Sequence, residues 1–445
     1  EESAKIAYDK FYNRTLTRNG YLDFGHDYIE YANPNNHGFS FCEYPFLLDP
    51  VAKRTILRIE KKAMQQHAAR PNLQTLFQGG MMGLGQPIMY SPYFVIGVRR
   101  AHVLSDTLNI ITRSPPSEFR KELKVIFDNE EGVDQGGVRK EFFQLIVREC
   151  FDVKYGTFVY NDETRNYWFN QNALENPQEY TLLGTVIGLA IYNGVLLDIQ
   201  FPPVVYKKMC GHTDMTLHDL HGFDPTIYKS VKQVAEFDGD VTDLCLTMSV
   251  DYMKWDKLET HDLIENGSNI EVTNGNKQRY IELLVDYYLT SSIRAQFDAF
   301  LKGFRSVLQG KAFDLVSRGE ELELLVVGNQ TLDFDALEVS CKYEGGYNAE
   351  HKVVRWFWEI IHSLSLDEKK QFLKFFSGSD RAPLRGLGKL GMLIQKATGD
   401  NYCGHQLPTA HTCFNALLLP AYATKELMRE KLLAAIKYAE GFGLK

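Results

Sequence analysis

The feature that most constrains this chain is its longest apolar run, residues 180–199, which is interrupted by Gly, Thr, Asn and Asp. It falls short of the eighteen or more unbroken apolar residues that cross a bilayer, so no membrane span is expected. Its mix of large and small apolar residues reads instead as a helix over 181–199 buried on most sides. A helix of that kind needs a sizeable body of other elements around it. With 445 residues the chain can supply two or three domains with full cores.

Around that helix the sequence alternates between strand and helix patterns. Residues 94–98 and 123–127 are rich in β-branched and aromatic residues and read as strands. Residues 101–112, 138–150, 226–237 and 277–308 carry helical spacing, and Asp49-Pro50 starts another helix over 51–59. Four glycines within 79–85 read as a loop. The apolar run 322–327 reads as a strand, followed by Gly328-Asn329-Gln330, which suits a hinge between two lobes or an ordinary turn. Beyond it, residues 353–364 form a helix, Ser365 to Glu368 cap a second, and residues 424–439 close the chain helically. The fold class expected is α+β, with a large helix-rich part and a smaller α/β part.

Charge and cysteine usage exclude several functions. A net charge of −8, with no basic run beyond Lys61-Lys62 and Arg99-Arg100, argues against nucleic-acid binding. Seven cysteines, an odd number without a Cys-x-x-Cys pair, make a poor disulfide framework and fit a reducing compartment: the cytoplasm, with the nucleus beside it. The opening Glu-Glu-Ser-Ala-Lys is neither a signal peptide nor an initiator methionine, so a longer parent protein is expected. Nucleotide motifs are absent: Gly303 to Lys311 lacks P-loop spacing, and Ala312 stands where Ser or Thr is required. No cofactor is expected, so any transferred group must arrive already activated.

The densest reactive cluster is Cys403-Gly404-His405-Gln406-Leu407-Pro408-Thr409-Ala410-His411-Thr412-Cys413-Phe414-Asn415. Three readings compete. Cys403, His405, His411 and Cys413 could hold zinc, but Cys-x-His and His-x-Cys leave one residue between ligands, unlike finger spacing. Cys413 could be a buried core thiol at the start of the run 414–419. Or Cys413 could be a nucleophile at a strand start, with His411 two residues away on the same face favouring thiolate. A hydrolase triad would normally draw its partners from elsewhere in the chain, so the nearby His405, His411 and Asn415 support it weakly.

The segment Leu407-Pro408-Thr409-Ala410-His411-Thr412-Cys413-Phe414-Asn415 resembles the active-site signature of HECT ubiquitin ligases. Further matching segments are Phe127 to Phe143, Gly188-Leu-Ala-Ile-Tyr-Asn193, Asp380-Arg-Ala-Pro383 and Gly386-Leu-Gly-Lys389. The likeness runs in order over residues 95–445 and more faintly over 10–75. The stretch 397–406, which carries Cys403, departs from the pattern by a few extra residues. The resemblance implies a bilobal domain: a partly helical extension over 1–94, an N-lobe over 95–328, a hinge at 329–331 and a C-lobe over 332–445. It also implies the chemistry. A ubiquitin-conjugating enzyme delivers ubiquitin, Cys413 takes it as a thioester, and a lysine of a protein substrate receives it. His411 and Thr412 would position the thiol, Asp380 would orient or deprotonate the lysine, and Phe442 would dock the tail on the N-lobe. By position, Ile227, Val231, Val234, Phe237, Leu244, Leu246, Tyr280 and Leu284 would line the groove for the conjugating enzyme. Ile227, Val231 and Val234 share one helical face, which core packing alone would also explain. A HECT-like scaffold that only binds, or a cysteine hydrolase, are the rival readings. No metal is expected.

Overall fold

A computed structural model describes residues 8–18, 22–35, 38–68, 91–130, 137–173, 177–255, 257–329, 331–397, 404–412 and 414–438. Two large hydrophobic cores divide the described residues. One gathers buried side chains from Phe94 to Val327, the other from Phe334 to Ile436. A third, smaller cluster joins residues 28–56 to Ala312 and Leu315. The fold is α+β and bilobal, and the change of core falls at Gly328.

The large lobe begins with helices α1 (Phe24–Ala32) and α2 (Pro50–Ala68). Pro50 opens α2, where its missing N–H is no loss. Strand β1 (Tyr93–Val98) leads through α3 (Val103–Arg113) to β2 (Glu122–Phe127), and the two strands pair in parallel from Tyr93↔Glu122 to Val98↔Phe127. Parallel neighbours need such a crossover. Phe94, Ile96, Val98, Leu123, Val125 and Phe127 all point into the core. Helix α4 (Gly137–Cys150) follows, then the hairpin β3 (Phe158–Asn161) and β4 (Asn166–Phe169).

Helix α5 (Pro177–Asn193) is the buried helix the sequence demanded, with residues 182–190 all buried. It stops six residues earlier than expected. Gly194 turns left-handed at φ +69°, and the Asn-Gly pair ends the helix as glycine commonly does. The lobe continues with α6 (Pro225–Glu236), the hairpin β5 (Ser249–Lys254) and β6 (Lys257–Asp262), then α7 (Lys277–Leu289) and α8 (Arg294–Val307). The single helical stretch expected over 277–308 is thus two helices, broken near Thr290. Helices α5 and α8 cross at backbone contact. A Cβ on Gly184 would lie 1.9 Å from the Phe300 carbonyl oxygen, and one on Gly303 would lie 2.0 Å from that of Thr181.

The run 322–327 is not a strand but belongs to helix α9 (Gly319–Val327). A short apolar run bounded by glycine is ambiguous on pattern alone. Glu320 and Glu321 in the first turn favour a helix N-terminus, and Leu322, Leu325 and Val326 bury one face.

The small lobe opens with α10 (Phe334–Ser340), capped by the Asp333 carboxylate accepting from the Ala336 N–H at 2.9 Å. Strand β7 (Lys342–Glu344), helix α11 (Lys352–Ser363) and helix α12 (Leu366–Ser377) follow. The expected cap is a full capping box between Ser365 and Glu368. Strands β8 (Leu393–Lys396), β9 (Thr409–His411) and β10 (Ala416–Leu419) complete a four-stranded sheet of order β7-β8-β10-β9, and helix α13 (Lys425–Tyr438) closes the lobe. Within this sheet β9 and β10 run antiparallel, while the β7–β8 and β8–β10 pairings are parallel.

The lobes meet along a short seam. Asn329 and Ala382 exchange both backbone hydrogen bonds, at 2.8 and 2.9 Å. Gly328 has φ +82°, and a Cβ there would sit 2.5 Å from the Ala382 carbonyl oxygen, so glycine is required at the crossing point. Gln330 lies outside the described residues, as does the glycine-rich stretch 79–85.

Candidate active site

The hairpin of β9 and β10 pairs His411 with Ala416, Ala410 with Leu417 and Thr409 with Leu418, and Thr412, Phe414 and Asn415 lie at its tip. Cys413 itself lies outside the described residues, as do Cys403 and Phe442. Its neighbours are tied down on both sides. The Phe414 N–H donates to the His411 carbonyl at 3.0 Å. Asn415 sits in the left-handed region at φ +49°, which asparagine tolerates better than most residues. Its Nδ2 donates to the Leu390 carbonyl at 2.8 Å, and its own carbonyl accepts from the Leu393 N–H at 3.0 Å. These bonds staple the tip to the lead-in of β8. His411 and Phe414 are exposed, and Thr412 is half-buried.

Thr412 lies against the end of α12: a Cβ on Gly378 would be 3.7 Å from the Thr412 Cβ. The same Gly378 carbonyl accepts from Gln144 Nε2 of α4 at 2.5 Å. The hairpin tip therefore stands where the two lobes touch. A second interlobe contact is the ion pair of Lys374 with Asp198, at 3.1 Å.

Asp380 follows two residues after Gly378 and is half-buried. Among the described residues its Oδ1 has no hydrogen bond, and Arg381 Nε lies 3.5 Å from it. Burial pushes its carboxyl above the ordinary value, and the nearby Asp198 carboxylate adds to that; Arg381, Lys374 and Lys370 pull the other way. An unsatisfied carboxylate of raised pKa at a lobe seam is a candidate proton acceptor.

Four of the other thiols are poor nucleophiles. Burial raises Cys42, Cys210 and Cys341 to about 12, and Cys150 further still. Cys245 is exposed. For the zinc reading, Cys403 and Cys413 are outside the described residues. Among the described residues no group of three or more His, Cys, Asp or Glu side chains could hold a metal.

The eight residues of the expected groove come together on α6, the turn 241–246 and α7. Asp224 caps α6 through the Thr226 and Ile227 N–H groups, and Lys277 Nζ donates to the carbonyls of Ala235 (3.2 Å) and Phe237 (2.9 Å) at its other end. Val231, Tyr280 and Leu284 are buried, Ile227, Val234, Phe237 and Leu246 are half-buried, and Leu244 is exposed. The face on offer is thus narrower than the expected set, since three of the eight serve the core. Beside it the β5–β6 hairpin exposes Met253, Trp255 and Leu258, which sequence reasoning passed over. The signal was present: large apolar residues flanking the short turn between two strand-like runs.

The sequence pattern of the HECT-domain (ubiquitin-transferase) family matches residues 144–445. The chain belongs to that family. It is 36% identical over 461 residues to the probable E3 ubiquitin-protein ligase HERC4 of Homo sapiens, covering 99% of this chain and 42% of that protein. With the probable E3 ubiquitin-protein ligase HECTD2 of Pongo abelii it shares 36% identity over 454 residues, 99% of this chain and 57% of the relative. The probable E3 ubiquitin-protein ligase HUL4 of Eremothecium gossypii is 34% identical over 424 residues, 92% of this chain and 49% of the relative. The chain spans about half the length of the curated relatives it matches. The HECT match begins inside α4, yet β1, α3 and β2 upstream of it are built into the core of the same lobe.

Proposed function

We propose that this chain is a ubiquitin-protein ligase module that carries ubiquitin as a thioester on Cys413. The observation that carries the reading is the HECT family match across the β9–β10 hairpin, whose tip is held at the lobe seam beside Asp380. In the first step the Cys413 thiolate attacks the carbonyl carbon of the conjugating enzyme's ubiquitin thioester. A new C–S bond forms, the old one breaks, and the conjugating enzyme leaves as a thiolate, which takes up from solvent the proton that Cys413 gave up. Exchange between thiols of similar pKa is nearly thermoneutral, so no strong base is needed. In the second step a substrate lysine amine attacks, a C–N bond forms, and the Cys413 thiol is released.

The lysine must first lose a proton, which costs about 4.6 kcal/mol at pH 7 for a side chain of ordinary pKa. Asp380 takes that proton in this reading. Asp380→Asn is expected to leave thioester loading intact and slow lysine transfer about 10²-fold, as single-turnover discharge would measure. Asp198→Asn removes a like charge, so the carboxyl falls back and the acid limb of the transfer rate moves to lower pH. An unmoved limb would remove Asp380 from the mechanism. The stability sign follows from the same shift. The folded-state carboxyl binds its proton more tightly than the unfolded one, so its contribution is present at low pH and is lost as pH climbs through the raised value.

The conjugating enzyme docks on α6, α7 and the turn 241–246. Phe237, half-buried over Gly239, is the aromatic anchor of that face. Phe237→Ala is expected to weaken conjugating-enzyme binding about tenfold with the melting midpoint little changed; normal loading at limiting conjugating enzyme would remove the face from the reading. Ubiquitin, its conjugating enzyme and lysine-bearing proteins are the partners, in the cytoplasm or nucleus. The test of the whole is a loading reaction with activating enzyme, conjugating enzyme, ubiquitin and ATP on a non-reducing gel. Absence of a reductant-sensitive adduct, with a control ligase discharging normally, would favour a binding scaffold.

A further inference from the structure

Between the lobes, on the side formed by α2, lies a cleft of about 450 Å³, a size suited to a small ligand. Six cationic side chains line it. Arg54, Arg58 and Lys61 come from α2, Arg120 from the turn before β2, and Arg385 and Lys389 from the small-lobe loop that follows Ala382. The bonds they make go to neutral acceptors. Arg54 Nη2 donates to the Gly194 carbonyl at 3.2 Å, Lys61 Nζ to Asn193 Oδ1 at 3.1 Å, and Arg120 Nη2 to Gln309 Oε1 at 2.6 Å. Among the described residues, none of the six forms an ion pair with a carboxylate.

The lining holds one acid, Glu60, and its carboxylate is engaged elsewhere, with the Tyr28 hydroxyl and the Ala312 N–H. The cations strain against this. Burial lowers Lys61 to about 8, with Arg139 adding to the effect and the Glu122 carboxylate opposing it. Burial also lowers Arg54, helped by the like charges of Arg58 and Arg385. Arg54, Lys61 and Arg120 are half-buried and Arg58, Arg385 and Lys389 exposed. Cations gathered with no ion pair among the described residues repel one another, and a bound anion would offset that repulsion.

We propose that this interlobe cleft binds a compact organic polyphosphate, a small anion bearing phosphates on several sides. Cations approach from three walls, which suits a ligand charged all round better than an extended acidic peptide. The four arginines among them can grip phosphate oxygens in pairs. Since Arg385 and Lys389 belong to one lobe and Arg54, Arg58 and Lys61 to the other, the anion binds best when the lobes stand as they do here. A bound polyphosphate therefore favours this arrangement over any in which the small lobe swings away about Gly328. The inference does not depend on Cys413 chemistry.

The test is calorimetry and thermal unfolding of the whole chain with inositol hexakisphosphate, with pyrophosphate and a doubly phosphorylated peptide as contrasts. One molecule of inositol hexakisphosphate should bind per chain, raise the melting midpoint, and weaken with added salt. Pyrophosphate should bind more weakly. Arg58→Ala and Arg385→Ala, from opposite walls, should each lower affinity about tenfold, while their melting midpoints without ligand stay level or rise as repulsion is relieved. No binding, binding by both variants as tight as by the parent chain, or preference for the phosphopeptide would each overturn the proposal.

Discussion

Cys413→Ala is expected to leave no reductant-sensitive ubiquitin adduct and to cut substrate ubiquitination below about one thousandth of the parent rate. The size of the effect follows from the lack of a substitute. Four of the other cysteines are held as protonated thiols because burial pushes them well above the ordinary thiol value. Cys245 is exposed, but it lies beside the expected groove for the conjugating enzyme rather than on the hairpin tip at the lobe seam. Non-reducing gels of Cys413→Ala, Cys403→Ala and Cys245→Ala separate the candidates. An adduct that survives in the first and vanishes in one of the others would relocate the nucleophile. Retained loading with slow transfer in Asn415→Ala would show a second thing: that the staple from Asn415 to Leu390 orients the loaded thiol instead of creating it.

Much of this architecture was legible because local and global signals agree. The Ser365–Glu368 capping box, the Asp333 cap and the alternating strands β1 and β2 are fixed by residues within a few positions of one another. The elements that were misread depend on distant partners. Residues 322–327 become helical because their apolar face packs into the large core and Glu321 finds Lys53 across 268 positions. Helix α5 ends at Gly194, a stop that apolar patterning overrode. The site divides in the same way. His411, Thr412 and the hairpin are contiguous and could be read directly, whereas the coupling of Asp380 to Asp198 exists only because the lobes meet. The cationic cleft was invisible for the same reason: its residues are spread from position 54 to 389, and no short window shows a basic run.

The second large effect is expected at Lys53. Its ammonium is fully buried, 2.7 Å from both oxygens of Glu321, whose side chain is 2% exposed and also accepts from the Tyr12 hydroxyl at 2.8 Å. Lys53→Met leaves that carboxylate buried with one hydroxyl for company, a loss of about 3–5 kcal/mol. For a body of this size the melting midpoint should fall by on the order of 10 °C. Adding Glu321→Leu should recover most of the loss, because replacing both charges with apolar groups is often neutral or better. A single variant that melts like the parent would mean the pair is solvated and structurally idle. The result also bears on where the folding unit begins. Lys53 belongs to α2, and Tyr28, Cys42, Leu48, Ala52 and Ile56 share one buried cluster with Ala312 and Leu315 of the large lobe. A chain trimmed to begin near residue 95 would lose Lys53 and that cluster together, leaving Glu321 uncompensated in the helix that runs into Gly328. Such a truncation should therefore weaken the lobe from the hinge side, and its loss of activity would reflect stability before it reflected any missing catalytic group.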